Sequence, residues 1–157
     1  MTRSWYLAAA LLGACGGSGG PANAVHPAAT ASAAVQSFMK AVADSNLPAM
    51  ASLWGTDRGP AGKTHQPPDY ERRIAVMRTY LSHDDYRILS DQPAGSEARH
   101  ALQVQLRRQA CTYDVPFTVI QLSDQSWIVN QIDLTTAGHP AKPCDPSQQD
   151  TAAPAGR

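Results

Sequence analysis

Between residues 31 and 81 apolar side chains recur with the period of a helix, and from residue 86 onward they alternate with the period of a strand. Val35, Phe38, Met39 and Val42 fall at i, i+3, i+4 and i+7, one face of a helix over 31–44. Ser45 or Asn46 can cap a second, short helix with Pro48 in its first turn and Leu47, Met50, Leu53 and Trp54 as its apolar side, ended by Gly55. A Gly- and Pro-rich stretch through Pro68 shows no strand pattern, and Asp69 is placed to cap a third helix. There Tyr70, Ile74, Met77 and Leu81 repeat on one face and Arg72, Arg73 and Arg78 on another.

Residues 86–91, 98–108, 112–122 and 127–135 read as four strands, the second alternating Leu102, Val104 and Leu106 with Gln103, Gln105 and Arg107. If Asp124 and Gln125 form a two-residue turn, Ser123 faces Ser126, Phe117 faces Ile132 and Val115 faces Leu134, so apolar meets apolar. A one-residue slip sets Phe117 against Gln131 and Val115 against Asp133, which disfavours it. Three helices followed by a curved four-stranded antiparallel sheet predict an α+β domain with the helices covering one sheet face. In that register Tyr113, Gln121 and Asn130 are the polar residues of the core face, with Tyr113 and Asn130 the candidate pocket residues. Ile120, Leu122, Trp127 and Val129 share the opposite face, a candidate interface for a homodimer or another protein partner.

The N-terminus changes where such a domain is expected to work. Residues 1–14 carry one Arg and then a short apolar run, the layout of a signal peptide and too short to span a bilayer, which needs about 20 residues. The run ends in Leu12-Gly13-Ala14-Cys15, which resembles the bacterial lipobox at all four positions. The resemblance implies cleavage before Cys15, acylation of that cysteine, palmitate included, and membrane attachment through lipid. Multiple acylation gives a lasting anchor at about 0.8 kcal/mol per buried methylene. Gly16 is not the Asp that signals inner-membrane retention in many Gram-negative lipoproteins, so in such a species the outer membrane, facing the periplasm, is favoured. Residues 15–32 are then the lipidated Cys and a flexible Gly-, Ala- and Pro-rich linker with a span of roughly 20 to 25 Å, 33–135 the domain, and 136–157 a low-complexity tail.

With Cys15 set aside, Cys111 and Cys144 are two thiols in an oxidising compartment, a candidate disulfide. Thirteen basic and thirteen acidic residues give a near-neutral chain, which argues against nucleic acid as a partner.

The folded segment resembles the nuclear transport factor 2-like (cystatin-like) family over about residues 31–135. Two stretches carry this: Ala41-Val-Ala-Asp-Ser-Asn-Leu-Pro-Ala-Met-Ala-Ser-Leu-Trp54, like the family's junction of first and second helices, and Phe117-Thr-Val-Ile-Gln-Leu-Ser-Asp-Gln-Ser-Trp127-Ile-Val-Asn-Gln-Ile132, like its last hairpin. The chain departs from the family where members often carry an extra strand before the third helix. The resemblance implies a cone-shaped domain and leaves function open, since one fold hosts many activities.

Family enzymes of the polyketide cyclase or isomerase type use an acid or base facing the cone interior. Asp114 and Asp133 fall on the outer face here, and no catalytic residue can be carried over. His83-Asp84-Asp85 holds three ligand types, but adjacent residues cannot converge on one ion without a special loop, so no metal or cofactor is expected. His65 and Asp69 are separated by Pro67 and Pro68 and read as loop residues. The helix arginines read as a solvated face. The function expected is that of a non-catalytic envelope lipoprotein binding a small apolar ligand or a protein, with a lipid-anchored cyclase or isomerase and a purely structural lipoprotein as alternatives.

Overall fold

The computed structural model describes residues 27–142 and 144. The expected signal peptide, the lipobox with Cys15 and most of the linker lie outside them. Thr30 accepts a hydrogen bond from the Ala33 amide and starts α1 (Ala31–Ala43), whose Val35, Phe38, Met39 and Val42 are buried as their spacing requires. Asn46 caps α2 (Leu47–Leu53) at 3.0 Å from the Ala49 amide. Met50, Leu53 and Trp54 turn inward, but Leu47, expected on that face, is exposed.

The stretch expected to lack strands carries β1 (Gly55–Thr56), β2 (Gly59–Pro60) and a one-turn helix, α3 (Ala61–Thr64), so the described residues hold four helices where three were expected. Gly55 permits this tight hairpin, because a Cβ there would lie 2.2 Å from the Gly59 carbonyl oxygen. Strands of two residues leave no period to read. Helix α4 (Tyr70–Tyr80) buries Ile74 and Met77, and Leu81 follows them into the core. Asp69 stands at its N-cap position without a capping bond and pairs instead with Arg73 at 2.9 Å. No helix among the described residues is long and apolar enough to cross a membrane.

The sheet is an antiparallel meander of β3 (Asp85–Ser96), β4 (Arg99–Arg108), β5 (Cys111–Gln121) and β6 (Trp127–Ile132). Leu102, Val104, Val115 and Phe117 cover α1 from its inner face, and Phe117 meets Phe38 edge to face at 6.5 Å.

The last hairpin corrects the expected register at its tip. Phe117 does pair with Ile132, but Val119 pairs with Val129, Ile120 with Ile128 and Gln121 with Trp127. Leu122 receives the Gln125 amide at 3.0 Å and donates to the Ser126 carbonyl at 2.8 Å, with Gln125 at a left-handed φ of 69°. The loop thus spans Ser123, Asp124 and Gln125, and the added residue is compensated by a bulge at Asn130, which has no partner on β5. A one-residue shift exchanges sheet faces. Trp127 and Val129 therefore enter the core with the helices, while Ile128 joins Ile120 on the other face. The four residues expected to form an outer patch do not share a face. Trp127, Val129 and Ile120 are buried, and Leu122 is partly buried.

Both ends of the domain reach further than expected. Ala28 accepts a hydrogen bond from the Trp127 amide at 3.0 Å, so structure begins inside the stretch read as linker. The strand expected to continue to residue 135 stops at Ile132, because the Asp133 carboxylate accepts from the Thr135 amide and hydroxyl and starts the turn η1 (Leu134–Thr136). Leu134 therefore leaves the ladder before it can face Val115. Beyond η1, Cys144 comes to disulfide distance of Cys111, Cα to Cα 5.9 Å.

Candidate functional site

The space between helices and sheet is lined by buried apolar side chains. Phe38, Phe117, Met39, Met50, Ile74 and Leu81 are among its largest fully buried side chains, and among the described residues no polar or charged one is buried. Tyr113 and Asn130, the candidate pocket residues, sit at separate places on its margin. Tyr113 is half-buried, with the Arg108 guanidinium 5.4 Å from its ring centre. A Cβ on Gly138, whose φ is +67°, would stand 2.4 Å from that ring. Arg108 donates to the Ser82 carbonyl at 2.8 Å and to that of Tyr80 at 2.5 Å, closing the C-terminus of α4 with a cation. Tyr113 is thus a packing plate beside the cysteine pair, where it borders a small cleft of about 320 Å³ with Pro140 and Lys142.

Asn130 borders the larger cavity, a groove of about 590 Å³ between α4 and the free edge of β6. The bulge turns its side chain off the ladder, and its amide nitrogen donates to the Gly55 carbonyl at 2.9 Å. Asn130, Gln131, Ile132, Asp133 and Leu134 all line the groove. Gln131 and Ile132 point to opposite faces of the end of β6, and Pro116 and Thr118 of β5 also line the groove, so it runs along the end of the strand and over the adjoining sheet face. The helix side supplies Arg72, Arg73, Val76 and Met77, and Trp54 closes one end. Val76 is 41% exposed and gives the helix side of the groove an open apolar contact. The hydrogen bond from Arg73 holds the Asp69 carboxyl below its ordinary pKa, against a smaller opposing effect of desolvation. Arg72 makes no hydrogen bond or ion pair among the described residues.

A polar cluster that the sequence analysis did not anticipate joins α1 to the β3–β4 hairpin. Asp91 accepts from the Ser32 hydroxyl at 2.6 Å on one oxygen and lies 2.5 Å from His100 Nδ1 on the other, and the His100 ring stands edge-on to Trp127 at 5.0 Å. Ser32 bonds the carboxylate and not the imidazole, so this is no nucleophile–base pair. Partial burial pushes the Asp91 carboxyl up, but the hydrogen bonds from Ser32 and His100 and the His100 charge together outweigh it and hold the pKa below its ordinary value.

A depressed carboxyl pKa stabilises the fold above the unfolded-state value of about 4, and that contribution is lost as pH falls through the lowered folded-state value. Asp91→Asn is therefore expected to lose about 1 to 2 kcal/mol near neutral pH. The gap to wild type should close as pH drops below about 4. Urea denaturation across that range checks it, and a gap independent of pH would exclude the charged form as the cause.

The remaining sequence candidates are held apart. His83 Nδ1 lies 2.8 Å from the Leu81 carbonyl, Asp84 accepts the Gln109 amide at 2.7 Å, and Asp85 is 3.9 Å from Arg107. His65 stacks on Tyr70 at 5.8 Å, and Arg78 donates to the Ser45 hydroxyl. No group of three metal-ligating side chains converges among the described residues. Comparison of the chain with protein-family models, curated proteins and solved structures gave no match.

Proposed function

We propose that this chain is an exported lipoprotein, held on the cell envelope by lipid on Cys15, whose folded domain is a non-catalytic binding module presenting the α4–β6 groove. The observation that carries the binding reading is a contrast within the domain: a buried apolar interior beside an open, partly apolar groove with the exposed Arg72 guanidinium at its rim. A cyclase or isomerase would need an acid or base inside the cone, and the largest buried side chains there are apolar. The groove is a partly apolar concavity with a few polar groups at fixed places, the general character of a binding surface.

Export is supported from two independent stretches. Leu12-Gly13-Ala14-Cys15 fits the lipobox, and Cys111 and Cys144 at disulfide distance fit an oxidising compartment. Helices leading into an antiparallel meander, with Trp54 bridged to Val129 of the last strand, support reading the domain as a nuclear transport factor 2-like cone. In a Gram-negative cell the residue after Cys15 favours the outer membrane.

Photo-crosslinking in intact envelopes tests the binding reading. With p-benzoylphenylalanine at Val76, in the groove, a discrete adduct is expected; at Leu89, exposed on the far edge strand β3, none is. Equal labelling from both positions, or none from Val76, would remove the groove as the functional surface.

A further inference from the structure

We propose that the occupant of the α4–β6 groove is an extended peptide segment that adds as a strand beside Ile132 and sets a carboxylate against Arg72; this rests on reading the groove as the binding site. β6 is an edge strand, and the chain itself already covers the first half of that edge. Ala28 accepts the Trp127 amide, Trp54 bridges Val129 in parallel, and the Gly55 carbonyl takes the Asn130 side chain. The next stretch of the same edge borders the groove.

Its backbone is oriented for pairing. The Asp133 amide donates to Pro116 on β5 at 3.0 Å, and successive amides of a strand point to opposite sides, so the N–H of Ile132 is directed away from β5. Among the described residues it has no backbone partner on that side. Past the bulge the strand runs only through Gln131 and Ile132 before the turn at Asp133, so at about 3.3 Å per residue an added strand would pair over roughly two residues, with Ile132 the backbone unit that faces outward. Val76, exposed on the helix side of the groove, offers an apolar contact to a side chain of such a segment, the combination of main-chain bonds with side-chain contacts seen in strand addition.

Charge selects the segment further. Asp69 is hydrogen-bonded to Arg73 and Asp133 to Thr135, while Arg72 feels the Asp69 charge but makes no hydrogen bond or ion pair of its own among the described residues, which leaves its guanidinium donors open at the rim. An acidic side chain or a free C-terminal carboxylate complements it. A small enclosed ligand fits less well, because Arg72, Arg73, Val76, Gln131 and Asp133 are all exposed and the groove is a trough, where small-molecule sites enclose most of the ligand.

The test uses the full-length protein in detergent, panned against a phage-displayed library of linear heptapeptides. Enriched sequences are expected to carry an apolar residue and an acidic group. A synthetic copy should slow exchange of the Ile132 amide at least tenfold, lose binding at least tenfold in Arg72→Glu, and lose it on N-methylation of its own backbone at alternate positions. Arg72 is exposed and makes no hydrogen bond among the described residues, and urea denaturation of Arg72→Glu beside wild type checks that the fold is kept. Dodecanoate is run beside the library. If it binds in an Arg72-dependent way while no peptide does, the peptide inference fails and the groove stands as a small-ligand site. Peptides that bind Arg72→Glu equally well and leave the Ile132 amide unprotected would also overturn it. If neither probe binds and Val76 gives no adduct in envelopes, both readings fall.

Discussion

Replacing Trp127 by serine is expected to lower folding stability by about 3 to 5 kcal/mol, the range for truncating a large aromatic side chain in a core. Trp127 is only 7% exposed, belongs to the helix-facing core, and stands against His100. Had the hairpin followed a two-residue turn, the same side chain would lie on the outer sheet face and its loss would act on self-association. The bulge at Asn130 makes it a folding residue instead. Chemical denaturation of wild type, Trp127→Ser and Leu122→Ser separates these accounts. The Leu122 variant, altered at a partly buried loop position, should lose much less. A Trp127 variant as stable as wild type would refute the register.

Loss of the cysteine link should have the second large effect. Cys111 is 1% exposed at the start of β5, and Cys144 approaches it across a separation of 33 residues. In the chain-entropy model a loop of that size stabilises by about 3 to 4 kcal/mol, mainly by restricting the unfolded chain. Cys144→Ser should lower the urea midpoint by a corresponding amount, and reduction of the wild type should bring it to the same place. A wild type whose midpoint ignores reductant would show that the two thiols are not bonded in solution.

What could be read from the sequence follows from which signals are local. The faces of α1 and α4 and the alternation of β4 are periodic, and Val35, Phe38, Ile74, Leu102 and Val104 lie where their spacing puts them. The Phe117–Ile132 pairing follows from matching apolar to apolar. The tip register does not, because it depends on Gln125 entering the left-handed region and on Asn130 leaving the ladder, and neither residue type announces this. The cluster of Ser32, Asp91 and His100 spans 59 residues between its serine and its carboxylate, beyond any pattern along the chain. An Asp and a His across one predicted hairpin were the available signal. Arg72 was legible as exposed, but the groove that gives it meaning arises only when residues of α4 and of the end of β6 come to line one cavity.

The central claim, an envelope protein anchored through lipid on Cys15, is tested most directly by the intact mass of the mature protein purified from membranes. The account predicts a chain beginning at Cys15 and carrying the added mass of a diacylglyceryl group and an amide-linked acyl chain, with Cys15→Ser recovered in the soluble fraction. A mature chain that begins upstream of Cys15, or one whose Cys15 thiol is free, would contradict it.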